Sequence, residues 1–212
     1  MDQYFGTYQT FNTVSKNDGA ALIGADNLIG DLYQIDIEMD SSSHKAWLVN
    51  RFGKRVGFFD AKFSRELSIW KARGMKLTAI LSFVAYSDAP DPGRYWGEMA
   101  VICYNPSNDK AFSKFVDGVR KKMGEGTRPN IDLKDNEVKK VLSSAGMWLP
   151  DQNMPLPKLS KGNAIMKSRL SVSERIIEQG RKGNKGCYAA SWAFLIALVV
   201  LVLLGLKSCG VF

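Results

Sequence analysis

The chain has 212 residues, a formal net charge of +8 and 45% hydrophobic residues, enough for one domain with its own core. Its cysteines, Cys103, Cys187 and Cys209, exclude a disulfide framework: the last two stand at opposite ends of an apolar run, and a reducing compartment fits. The charge is uneven, with a net of +1 over residues 1–157, +6 over 158–186 and the rest on Lys207, so the basic balance is not by itself a nucleic-acid signature.

The first residues, Met1-Asp2-Gln3-Tyr4, lack a charged and apolar leader, and no signal peptide is expected. Within the polar, Gly-rich stretch 1–30, Tyr4, Phe5, Tyr8 and Phe11 recur at three and four. That spacing suits a short helix, or aromatic side chains docking on the domain. Residues 31–38 alternate apolar and polar groups and read as a strand. A second strand is expected over 45–51, a turn at Asn50-Arg51-Phe52-Gly53, and a returning strand over 54–58.

Asp60 is placed to cap a helix running to Gly74, with Phe63, Leu67 and Trp70 on one face. Residues 75–86 and 95–104 read as strands either side of a Pro-rich turn. Helices follow from Asn108 to about Met123, with Gly118 as a weak point, and from Asp135 to Ala145, stopped by Gly146. Residues 147–186 read as a basic Pro/Gly/Lys-rich linker, with a short surface helix from Ser173 to Gln179.

Residues 187–206 hold 20 residues without a charge. At 1.5 Å per residue, a helix of about 20 residues matches a hydrocarbon core of about 30 Å. Tyr188 and Trp192 lie where an aromatic belt would sit. Arg181, Lys182 and Lys185 precede the run and Lys207 alone follows it, which sets the N-terminal side in the cytoplasm. The expected organisation is a domain over 1–146, the linker over 147–186, one transmembrane helix over 187–206 and a tail over 207–212. The domain is α+β: a small antiparallel β-barrel-like sheet with an inserted helix and C-terminal helices.

No catalytic constellation is visible. His44 is the one histidine, Ser43 beside it faces the other way on a strand, and Cys103 sits among apolar neighbours. Metal-ligand spacing and a Gly-rich phosphate loop are both missing, so no cofactor, no metal and no enzyme activity are expected. A basic region is present. Residues 41–80 carry nine Lys/Arg against Asp60 and Glu66. Arg51, Lys54, Arg55, Lys62 and Arg65, with Phe58 nearby, form a candidate phosphate and base-stacking face. The same cations also suit a solvated face paired with the acidic segment 1–40, or anionic lipid headgroups.

The run Lys45-Ala46-Trp47-Leu48-Val49, then Gly53-Lys54-Arg55-Val56-Gly57-Phe58, then Leu67, Gly74 and Ala79, resembles the HIRAN domain over roughly residues 20–105. In that reading Gly57 lets the helix approach its strand. The resemblance implies a small β domain of a kind that, beside DNA-remodelling helicases, binds the 3′ end of single-stranded DNA. Phe83 matches the family's aromatic on the later strand. Ser42 and Ser43 stand where the family carries an aromatic and an acid. The sequence as a whole points to a membrane-anchored cytoplasmic binding module with an unidentified protein partner. The alternative is a membrane-attached nucleic-acid binder of the HIRAN type.

Overall fold

The computed structural model describes residues 3–40, 43–181 and 193–199. They fall into two compact units, 1–171 and 172–212. The first is built from β1 (Tyr4–Thr13), α1 (Lys16–Ala21), β2 (Leu32–Asp40), β3 (Ser43–Val49), β4 (Arg55–Phe58), α2 (Ala61–Ala72), β5 (Lys76–Ser87), β6 (Arg94–Tyr104), α3 (Asp109–Gly124), α4 (Asp135–Ser143) and β7 (Asn163–Lys167). The second contains α5 (Val172–Arg181).

The sheet runs β2-β3-β4-β1-β6-β5-β7, and a further pairing of β2 with β5 closes the first six strands into a barrel. Every pairing is antiparallel, as the short connections imply. Closure leaves no free edge within the barrel itself. β5 serves three neighbours, because β2 takes its first half at Ala79 and Ile80 and β7 its second half from Val84 to Ser87.

Alternation along the strands sorts side chains between inside and outside. Phe11, Tyr33, Ala46, Leu48, Val56, Ala79 and Val101 are buried in the barrel core. Phe11 occupies space left by two glycines: a Cβ at Gly57 or Gly97 would lie 2.7 or 2.8 Å from its ring. Gly57 thus makes room for β1, not for the helix, which corrects the expectation from the resemblance. α2 closes one end, where Phe63 and Leu67 are buried and Phe5 stacks on Trp70 at 5.3 Å. Asp60 caps it by accepting from the Phe63 amide at 2.8 Å, and Gly74 ends it at φ +78°. At the other end α1 lies against Tyr95, where Gly19 has no room for a Cβ.

The outer face of β1, β6 and β5 is covered. Phe112 of α3 stacks on Tyr4 and Tyr104 at 5.3 and 5.0 Å. The Tyr4 and Tyr8 hydroxyls donate to the carbonyls of Ile131 and Pro129. Arg128 reaches under this cover to pair with Glu98, and its Nε donates to Ser82 Oγ at 3.0 Å. Gly118, the weak point of α3 by sequence, is where Leu149 packs, 3.0 Å from a notional Cβ.

Two expectations for the N- and C-terminal stretches are corrected. The aromatic spacing of residues 4–11 belongs to strand β1, not to a helix. Its two faces are both covered, Phe11 in the barrel and Tyr4 and Tyr8 beneath the segment around 129–131. Residues 147–171, expected as linker, belong to the compact unit and contain β7. Lys167 at its end is 8% exposed, and its ammonium donates to the carbonyls of Ile23, Gly24 and Asn27.

Candidate functional site

The basic run of residues 51–65 divides among three places. Arg51 and Lys54 lie at the β3–β4 turn, whose conformation is set by Asn50. The Asn50 Oδ1 accepts from the amides of Phe52 and Lys54 at 3.0 Å each, and Gly53 adopts φ +77°. Arg51 lies over the exposed Phe52 ring, and Lys54 pairs with Asp18 at 2.9 Å. That ammonium, with the Ser15 hydroxyl, holds the Asp18 carboxyl below its ordinary range.

Arg55 and Phe58 sit on the open outer face of β2, β3 and β4. Arg55 pairs with Asp36 at 2.7 Å and reaches Glu38 at 3.5 Å. The Trp47 indole donates to Glu38 at 2.6 Å. The Lys45 ammonium lies 4.0 Å from the centroids of both the Trp47 and Phe58 rings. Cation, ring and carboxylate alternate here, so the face is nearly neutral and presents aromatic edges.

Lys62 and Arg65 lie on α2, exposed to solvent. With Ile69 they occupy positions i, i+3 and i+7, one stripe of the helix. No carboxylate of the described residues stands within 4.0 Å of Lys62, Arg65 or Lys71. Phe83 does not join any of these groups: it is fully buried, edge-on to Trp96 at 5.6 Å. The proposed face of Arg51, Lys54, Arg55, Phe58, Lys62, Arg65 and Phe83 is therefore not one surface.

Between the β2–β3 hairpin and the C-terminal half of α2 runs an open groove of about 400 Å³. Ile37, Met39, Ile69 and Ala72 supply apolar walls, Ser68 lies between them, and His44 and Lys71 stand at the rim. Met39 is 70% and Ile69 46% exposed. Sequence reading passed over this groove. Its traces were Met39 as an apolar residue among polar neighbours and Ile69 off the Phe63–Leu67–Trp70 face of the helix.

The reactive side chains behave as the sequence implied for Cys103. It is buried, and burial pushes its thiol up to about 12, with the Glu66 charge adding to the effect. Such a thiol is not a thiolate at neutral pH. His44 lies at the groove rim beside Met39 in the register of the hairpin. Among the described residues no three His, Cys, Asp or Glu side chains come together to hold a metal ion.

Of the expected membrane-surface cations, Arg181 ends α5, while Lys182 and Lys185 lie outside the described residues. Ser42 and most of the run 187–206 do as well. Residues 193–199 are helical, with Phe194, Leu195 and Ile196 exposed. Among the described residues no helix is long and apolar enough to cross a membrane. No family model, no curated protein and no solved structure matches this chain.

Proposed function

We propose that the chain is a non-enzymatic binding module, held at the cytoplasmic face of a membrane by residues 187–206, that takes a partner on the hairpin and α2 side of its barrel. The observation that carries the binding role is the apolar groove beside Arg65 and Lys71, which have no carboxylate partner among the described residues. Support for the anchor comes from the uncharged run of 20 residues and the cations before it. The cations also attract an anionic leaflet. Tethering raises the effective concentration of the barrel for a partner at the same membrane.

The anchor is tested by washing membranes from expressing cells with alkaline carbonate. Full-length chain stays with the membrane, and chain ending at Gly186 moves to the soluble fraction. Full-length chain in the soluble fraction would overturn the anchor.

A second reading, single-stranded nucleic-acid binding, has its own support. Trp47 and Phe58 lie side by side on an open sheet face with Lys45 and Arg55 against their rings, a setting in which bases stack. The HIRAN resemblance points the same way. The full chain in detergent micelles, titrated with labelled single-stranded DNA bearing a free or a blocked 3′ end, decides it. Binding that needs the free end and falls steeply with salt supports this reading. Unchanged binding after Arg55→Glu with Arg65→Glu removes it.

A further inference from the structure

Resting on the binding-module reading, we infer that the groove between the β2–β3 hairpin and α2 takes an acidic segment of a partner protein that carries aliphatic side chains. The apolar part of the argument is the lining. Ile37, Met39, Ile69 and Ala72 line a concave surface of about 400 Å³, and Met39 is mostly and Ile69 nearly half exposed to solvent. Elsewhere on the barrel unit exposed apolar residues such as Val14, Phe52 and Met147 occur, and none of these lines this groove. An aliphatic wall of this kind is filled by Leu, Ile or Met side chains of a peptide.

The charge of the partner follows from the cations beside the groove. Lys54, Arg55, Lys76, Arg120 and Arg128 each have a carboxylate within ion-pair distance. Lys62 and Arg65 on α2, and Lys71 at the groove rim, have none among the described residues. Lys71 itself lines the groove and Arg65 lies one turn before Ile69 on the same stripe, so cations without a carboxylate partner stand beside the aliphatic wall. Charges arranged this way select an acidic partner and speed its encounter.

The wall also separates a protein segment from the other anionic candidates. A nucleobase needs an open ring to stack on, and the aromatic residues of α2 are engaged: Phe63 with Phe59 at 5.1 Å, Trp70 with Phe5. A lipid leaflet meets a projecting surface, whereas this one is recessed between a hairpin and a helix.

The test uses the full chain in nanodiscs of neutral lipid. A random peptide library is selected on it, with counter-selection on the Ile69→Asp variant, whose exposed position leaves the fold intact by circular dichroism. The expected pool is rich in Asp and Glu interspersed with Leu, Ile or Met. Its members weaken at least about tenfold on Ile69→Asp and on Lys62→Glu with Arg65→Glu, and their binding falls as salt rises. A pool without acidic enrichment, or no enrichment over the Ile69→Asp variant, overturns the inference. Displacement of selected peptides by single-stranded DNA, or by vesicles of phosphatidylserine, also overturns it and gives the groove to nucleic acid or to lipid. Carbonate washing is scored separately, so loss of the anchor and loss of the groove ligand are read on different samples.

Discussion

The outer wall of the barrel is finished in two ways. Across β1, β6 and β5 it lies beneath α3 and the segment around residues 128–155, and the ion pair under that cover, Arg128 with Glu98, has both side chains under a tenth exposed. Across β2, β3 and β4 it faces solvent, and Arg55, Asp36 and Glu38 are each about half exposed. The same chemistry therefore has two jobs. Buried, the pair fixes the covering segment, since Arg128 also donates to Ser82 and to the Pro155 carbonyl. Exposed, it keeps an aromatic face soluble and close to neutral.

The sharpest way to break this comparison is Arg128→Ala. It strands Glu98 without its cation, and a loss of about 3–5 kcal/mol is expected; a urea unfolding curve showing under about 1 kcal/mol would make the covered face no different from the open one. Replacing Arg128 and Glu98 together by Met should recover most of that loss. Next comes Lys167→Met, which leaves the Ile23, Gly24 and Asn27 carbonyls without their ammonium. It should cost about 1–3 kcal/mol and speed amide exchange along β7 relative to β5.

A smaller effect is expected from pH. Burial raises the Glu98 carboxyl above its ordinary value even though Arg128 opposes the shift. The folded state then holds this proton more tightly than the unfolded one. Its contribution is complete below the ordinary carboxylate pKa and is lost as pH rises through the raised value. Comparing urea midpoints of the native chain and Glu98→Gln across that range isolates the slope; identical slopes would show that the site titrates normally. Smallest is Arg55→Ala on the open face, at about 0–1 kcal/mol and fading with salt.

The parts of this molecule that sequence reading reached are those with one buried face. α2 was legible because Asp60 caps it and Phe63 and Leu67 lie on a single side. The strands from Leu32 to Phe58 were legible because apolar and polar residues alternate. β1 was not, because both of its faces are covered and its aromatic residues lose the period of two. The same cause hid Phe83: β5 is buried on both sides over Ala79–Ala85, so sequence gave no means of telling a surface ring from a core ring. β7 is five residues in a Lys- and Gly-rich setting and gains its structure from β5. At the candidate site the cations were visible in sequence, but which of them meet carboxylates depends on tertiary contacts across 17 to 36 positions, and no local pattern encodes that.

β1 lies between β4 and β6, and this placement orders events during synthesis. The hairpins from β2 to β4 can form as they are made, whereas the N-terminal strand keeps one edge open until Tyr104 has been added. Translating residues 105–186 then takes roughly 4–16 s at about 5–20 residues per second, while barrels of this kind close in about milliseconds to seconds. The nascent chain thus has time to close its six-stranded barrel before residues 187–206 are translated.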